Sequence, residues 1–160
     1  MAIKQKRIGF DAGTFSITGK IKMTFENVHT GEVRESEYDN LVTTVAKNMI
    51  ASRLSGAGND SNITFGAVGT GVTPPAIGDT TLDTELARTS LALTSATGSA
   101  VTTTAFFGTP DANGVLTEYA LFGEAATSTA DTGTMFNHVT ISETKTNSET
   151  LTVQATITIG

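Results

Sequence analysis

Alternation of apolar and polar residues is the clearest pattern in this chain, and it is strictest at residues 150–159. Aliphatic side chains occupy every second position there: Leu151, Val153, Ala155, Ile157 and Ile159. A period of two predicts a β-strand with one face in a core and the other near water. Threonine fills most of the intervening positions, and its branched side chain suits a half-buried strand.

The same alternation predicts further strands upstream. Residues 15–25 would form a long strand in which Gly19 marks a bulge or a close backbone approach. A turn at His29-Thr30-Gly31 would lead into a returning strand at the solvent edge, residues 32–38. Later segments predict one helical turn at 82–86 and strands at 63–67, 87–93, 101–107, 115–122 and 135–141.

One segment has helical rather than strand periodicity, and it predicts a helix at about residues 40–55. Asn40 would cap its start, and Gly56 lies where a left-handed residue would end it. The apolar face expected to pack on a sheet contains Leu41, Val45, Met49 and Leu54.

Many strands separated by turn-forming residues predict a mainly β fold, an antiparallel β-sandwich or a barrel-like domain with one amphipathic helix packed on it. A chain of 160 residues fits a single domain, here residues 15–160 after an N-terminal arm at 1–14. The chain has no cysteine, so a disulfide framework and a thiolate nucleophile are excluded.

Charge limits the classes of partner. The net charge is −6, which is the wrong sign for binding nucleic acid or an anionic membrane, and we expect neither partner. The start of the chain lacks the apolar centre of a signal peptide, so we expect no secretion by the usual route. Basic residues nonetheless gather at Lys4, Lys6 and Arg7. That arm is either a contact to an acidic protein surface or a solvated terminus.

The residues that could support catalysis are few. A serine or threonine nucleophile would need His29 or His138 as its base, and neither lies in a nucleophile-elbow motif. Glycoside hydrolysis would need a carboxylate pair, but the chain has no Trp and only two Tyr to stack on sugars. We therefore expect no enzyme and no cofactor. The carboxylates available for such a pair are Asp79, Asp83, Glu85, Glu118 and Glu124.

Two further motifs have a structural and a ligand-binding interpretation. Asp79, Asp83 and Glu85 could hold calcium, but their spacing matches no calcium loop, and turn capping with a Glu85–Arg88 pair explains them better. The glycines from Gly66 to Gly71 suggest a phosphate loop but lack the following Lys-Ser/Thr. Close backbone approach at a strand end is the favoured interpretation, and no metal site is expected.

The segment from Thr70 to Thr81 is long for a simple connection and contains Pro74-Pro75. Loops of this length in compact domains usually bind something or pack on a neighbour. Together with the basic arm, this loop supplies the predicted assembly contacts: Lys4, Lys6, Arg7, Val72, Pro74, Pro75 and Ile77.

The order of several motifs resembles small structural modules of tailed-bacteriophage virions, in particular the head module of collar-fibre and baseplate-associated proteins. The motifs are individually loose but specific as an ordered set, and they span roughly residues 30–160. In fibres a long shaft follows this module, and these 160 residues contain none. The motifs are Thr30-Gly31-Glu32-Val33, Asn40-Leu41-Val42-Thr43 at the start of a helix, the end of that helix from Ile50 to Gly56, the segment from Ile63 to Gly71, the segment from Thr80 to Arg88, Glu118-Tyr119-Ala120-Leu121-Phe122, and the closing Thr-rich strand.

The resemblance implies a non-enzymatic virion protein that assembles in multiple copies as a tail, baseplate or fibre-attachment adaptor. A capsid decoration protein on the phage head is the alternative, and a carbohydrate or host-surface binding module is a further one. The implied partners are copies of itself and the tail, baseplate or major capsid protein. The implied location is the virion, assembled in the bacterial host cytoplasm.

Overall fold

The computed structural model of the chain describes residues 16–56 and 62–160. Eight strands close into an antiparallel barrel in the order β1-β2-β7-β6-β3-β4-β5-β8. The predicted mainly β fold is confirmed in its barrel-like form, whereas the arm predicted at residues 1–14 lies outside the described residues. The elements are β1 (Ile17–Asn27), β2 (Val33–Val42), α1 (Thr44–Ser55), β3 (Ile63–Gly69), β4 (Glu85–Thr97), β5 (Ala100–Phe107), β6 (Gly114–Gly123), β7 (Thr134–Lys145) and β8 (Glu149–Ile159).

The main core fills the inside of the barrel. β8 lies between β1 and β5 and pairs with both along its length, which places Met23 opposite Val153 and Val153 opposite Ala105. These three side chains are fully buried, as the period-two pattern predicts. The apolar residues of β6 and β7 complete this core, with Leu116, Tyr119, Leu121, Val139 and Ile141.

A second, smaller apolar cluster lies on the outer face of β3, β6 and β7, and contains Ala67, Leu82, Ala120, Phe122 and Met135. Leu82 comes from the connection between β3 and β4, residues 70–84, which we call the strap. Ala126, from the connection between β6 and β7, packs against the same cluster. The helical turn predicted at 82–86 is wrong, because Leu82 packs on the barrel wall and β4 already begins at Glu85.

The helix is shorter than predicted and begins later. Asn40 is not its cap, because β2 continues to Val42 and Asn40 faces Gly19 of β1. The cap is Thr43, whose hydroxyl accepts a hydrogen bond from the Ala46 N–H at 3.1 Å and donates one to the Met135 carbonyl at 2.7 Å. A contact with β7 therefore determines where the helix starts.

The C-terminal end of the helix agrees with the sequence, since Gly56 adopts the left-handed conformation at φ 72°. The predicted buried face agrees at Met49 but not at Leu54. Ala46 and Met49 are buried, whereas Leu54 is 84% exposed. Helical spacing alone assigned Leu54 to the sheet, but the last turn of α1 extends past the surface on which Met49 packs.

The barrel has one weakly paired seam, between β2 and β7. Backbone pairing there is limited to Leu41 with His138 and Val42 with Asn137. Farther along the seam, contacts between side chains take the place of backbone hydrogen bonds. Arg34 Nη1 contacts Glu143 Oε2 at 2.6 Å, and Tyr38 Oη donates to Glu143 Oε1 at 2.6 Å. The strand predicted at 32–38 is therefore an edge over most of its length, closed by polar side chains.

The seam carboxylates have lowered pKa values. Burial opposes the ionisation of Glu143, but hydrogen bonds from Tyr38 and Arg34 outweigh it and hold its pKa below the usual value. Burial likewise opposes ionisation of Glu149, and bonds from Thr146 and Arg34 lower its pKa. The Arg34 guanidinium lies 3.5 Å from the centre of the Phe25 ring and forms ion pairs with both Glu143 and Glu149.

The helix contacts predict unequal effects of two alanine substitutions. Met49→Ala should reduce the free energy of unfolding by about 2–5 kcal/mol because it leaves a cavity in the core. Leu54→Ala should change it by less than about 0.5 kcal/mol because that side chain is exposed. Chemical denaturation of both variants measures this, and equal losses would contradict the packing of α1.

The seam predicts a pH effect. A carboxyl group with a lowered folded-state pKa stabilises the fold above its unfolded-state pKa, and that stability is lost as the pH falls through the folded-state value. Arg34→Met should therefore lower stability at pH 7 and flatten the acid side of the stability–pH curve. Denaturation midpoints from neutral to acid pH test this. Lys20→Met, which removes an exposed pair with Asp39, is the control and should keep the wild-type curve.

Candidate functional site

The strap is a closed loop held against the outside of the barrel. Its two ends meet where the Thr70 N–H donates to the Thr84 carbonyl at 2.9 Å. Between these residues the chain runs along the outer wall, and the Ile77 carbonyl accepts a hydrogen bond from the Thr44 N–H at 2.7 Å. The strap thus joins the end of β3 to the start of the helix, as a compact surface loop with packed side chains does.

The carboxylate of Glu118 is the main anchor of the strap. Glu118 lies on the outer face of β6 and is 2% exposed. Three strap N–H groups donate to it, those of Gly71 at 2.8 Å, Thr84 at 2.9 Å and Asp83 at 3.0 Å. Hydrogen bonds to an ionised acceptor are stronger than neutral ones, so one side chain orders both ends of the strap.

This anchor explains the glycines at the end of β3. A Cβ at Gly71 would lie 2.5 Å from Glu118 Oε1, and a Cβ at Gly69 would also overlap the Glu118 side chain. Only glycine lets the backbone come this close. The predicted close backbone approach is therefore confirmed at these two positions.

His138 of β7 links Glu118 to the middle of the strap. Its Nδ1 lies 2.7 Å from Asp79 Oδ2, and its Nε2 lies 3.2 Å from Glu118 Oε2. Burial opposes ionisation of Asp79, but hydrogen bonds from the Ala76 N–H and from His138 outweigh it and lower its pKa. Asp79 thus caps the turn at residues 76–79, as the sequence predicts.

The geometry restricts what His138 can do chemically. A general base for a hydroxyl nucleophile needs one ring nitrogen directed at that hydroxyl. Both nitrogens of His138 face carboxylates instead, and the ring is only 3% exposed. His29 lies in the β1–β2 turn, where its backbone N–H donates to Asn27 Oδ1 at 3.0 Å. The arrangement around His138 is that of a structural clamp.

The remaining acidic residues considered from sequence have separate partners. Asp83 Oδ2 accepts from the Val72 N–H at 3.3 Å, within the strap. Glu124 Oε2 accepts from the Thr134 hydroxyl. Within residues 16–56 and 62–160, no group of three or more histidine or acidic side chains is arranged to hold a metal ion. Asp79, Asp83 and Glu85 accordingly do not form one site.

Glu85 forms the predicted pair with Arg88, and this pair anchors a second loop. Both nitrogen–oxygen distances are 2.7 Å, and the side chains are 3% and 1% exposed. Arg88 Nη1 also donates to the Thr132 carbonyl at 2.8 Å, and the guanidinium lies 4.4 Å from the Phe122 ring centre. The pair therefore fixes the connection between β6 and β7 against the outer cluster.

Lys145 holds a third loop in the same manner. It is 1% exposed, and its Nζ donates to the Gly108 and Asp111 carbonyls at 2.8 Å and to Asn113 Oδ1 at 3.0 Å. Burial lowers the pKa of Lys145, and the nearby carboxylates of Asp111 and Glu149 oppose that effect. The connection between β5 and β6 is thus folded around an ammonium group.

Four of the seven predicted assembly residues lie on the strap. Val72 and Ile77 are 79% and 62% exposed on the strap. Pro74 is exposed and Pro75 is half-buried. The strap thus brings these four residues together on one anchored loop. Lys4, Lys6 and Arg7 lie outside the described residues.

An apolar cavity of about 620 Å³ lies between the helix and the barrel. Its size is within the range of small-molecule sites. Sequence analysis did not predict it, because its walls come from residues far apart in the chain. Its aliphatic and aromatic lining includes Met49, Ile50, Leu91, Val101, Phe136 and Ile157, and Arg53 is the charged residue of the set.

Comparison with protein-family models, with curated proteins and with solved structures finds no match to this chain. Among the described residues, no helix has the length and apolar character needed to cross a membrane.

The anchor predicts that Glu118→Gln loosens the strap. The amide retains one accepting oxygen, but its NH₂ group would face backbone donors, and such mismatches cost about 1–3 kcal/mol. Hydrogen–deuterium exchange should become faster in residues 70–84 and stay unchanged in β1 and β8. Glu37→Gln, at an exposed position of β2, is the matched control. Wild-type exchange in the Glu118 variant would show that the carboxylate does not hold the strap.

Proposed function

We propose that this protein is a non-enzymatic structural component of a tailed-bacteriophage virion, present in multiple copies as a tail, baseplate or fibre-attachment adaptor. In this role it folds in the bacterial host cytoplasm and binds other virion proteins. The ordered motifs between Thr30 and the C-terminal strand support the phage assignment. The strap supports the assembly role.

The observation that carries the proposal is an anchored loop that presents aliphatic side chains to solvent. The Glu118–His138–Asp79 cluster fixes the strap backbone from beneath, while Val72 and Ile77 project from it. A contact loop that is already ordered loses less conformational entropy on binding than a free one. The strap is therefore ordered by buried polar side chains before any partner binds. Docking of the strap on a partner would explain why the protein keeps such a buried cluster beneath it.

Pro74 and Pro75 act in the same direction. Proline restricts the backbone before any partner is present, which lowers the entropy that the loop loses on docking. Weak contacts of this kind become strong when many copies bind a symmetric tail or shell. The proposal therefore needs only a small contact area from each subunit.

Capsid decoration is the runner-up function, since an anchored aliphatic loop would suit a capsid lattice equally well. The two functions place the protein differently. Immunogold labelling of particles would mark the tail or baseplate for an adaptor and the head for a decoration protein.

The strap predicts an assembly defect without a folding defect. The double variant Val72→Ser and Ile77→Ser should keep the wild-type melting temperature, because both side chains are exposed, yet fewer copies should bind to particles. Quantitative mass spectrometry of purified particles measures the copy number. Val33→Ser, at a 54% exposed position of β2, is the control. Wild-type occupancy of the double variant would remove the strap from the proposed interface.

A further inference from the structure

One part of the barrel wall carries no charged residue on its outer face. It consists of β4 from residue 92 onward, β5 and β8, and we call it the uncharged wall. The registers place Leu93 beside Thr104, and Thr104 beside Gln154, on the same side of the sheet. Its outward side chains are Leu93, Ser95, Thr102, Thr104, Phe106, Thr150, Thr152, Gln154, Thr156 and Thr158.

The neighbouring strands are different. Next to β8, the outer face of β1 carries Lys20 and Lys22, which pair with Asp39 and Glu35 of β2 at 3.1 and 2.9 Å. Along β4 itself, the half before residue 92 carries the Glu85–Arg88 pair. Charged residues therefore border the uncharged wall along β1 and at the start of β4.

Two large apolar side chains are exposed together on this wall. Phe106 is 48% exposed and Leu93 is 55% exposed. Leu93 is opposite Thr104, so Phe106 is its diagonal neighbour on the adjacent strand, within reach of an aromatic side chain. Aromatic residues, Phe among them, are enriched in the buried centres of protein interfaces.

We propose that the uncharged wall is the surface through which copies of this protein contact one another. The inference deepens the proposed virion function by naming the contact between subunits. Two copies of a chain with a net charge of −6 repel one another on average. A wall of hydroxyl and apolar groups removes that repulsion where two copies meet.

The closed barrel directs contact to a face rather than an edge. Within the wall, β5 and β8 each pair with a strand on both sides, so their backbone groups are not available for adding a strand, whereas β4 beyond Ser90 pairs with β5 alone. Three strands about 4.8 Å apart and about 30 Å long present roughly 400 Å². Standard interfaces bury about 800 Å² on each partner, so the contact is weak for a pair and gains strength in an array.

Sedimentation of the purified chain tests this surface without any particle. The average mass should rise above the 16.6 kDa of one chain across the micromolar to millimolar range. Phe106→Glu should weaken this association roughly tenfold or more, and Leu93→Ser should weaken it in the same direction. A chain that stays monomeric throughout that range would overturn the inference.

Val115→Glu is the matched control, because Val115 is 60% exposed on β6, across the barrel from β8. It adds the same charge and should leave the association unchanged. Equal loss in both glutamate variants would indicate general repulsion and overturn the assignment of this wall. Concentration-dependent amide shifts confined to β4 from residue 92 onward, β5 and β8 would support it independently of any variant, and shifts confined to other segments would contradict it.

The outcomes separate the two proposals. Self-association that depends on Phe106 supports the wall even if the protein is absent from phage particles. Particle binding that depends on Val72 and Ile77 supports the virion function even if the purified chain is monomeric, in which case only the inference about the wall is overturned.

Discussion

The position of β8 is the constraint on which the rest of the structure depends. It lies between β1 and β5 and pairs with both, from Ile17 opposite Ile159 to Phe107 opposite Leu151. Its strict alternation sends one set of side chains into the barrel and the other outward, so a slip of one residue would exchange the two faces. The alternation of β8 therefore determines which of its side chains lie in the core and which lie on the uncharged wall.

Buried charges hold the connecting loops, and each serves a different one. Glu118 binds N–H groups of the strap, Arg88 binds a carbonyl of the β6–β7 connection, and Lys145 binds carbonyls of the β5–β6 connection. A buried charge is costly unless hydrogen bonds replace its water, and backbone groups do so here. Apolar side chains, both aliphatic and aromatic, fill the barrel, and buried ionic side chains hold the loops on its surface.

The sequence predicted most strands and several separate features of the site, but not how those features come together. Alternation is a local signal, so β1, β5, β6 and β8 could be read from it, and Gly56 marked the helix end. Asn40 was the wrong cap because the deciding partner of Thr43 is the carbonyl of Met135, which is distant in the chain. The outward placement of Glu118 follows from its alternation with Tyr119. The sequence does not show that three strap N–H groups donate to the Glu118 carboxylate. Only the folded loop shows this.

The Thr43 cap also has a consequence for the order of folding. Its hydroxyl binds both the first turn of the helix and the carbonyl of Met135, so the full cap exists only after β7 has docked beside β2. A helix of 12 residues is marginal by itself in water. We therefore expect the one helix of the described chain to consolidate after long-range strand pairing, which is the reverse of the usual order in which local helices precede sheets.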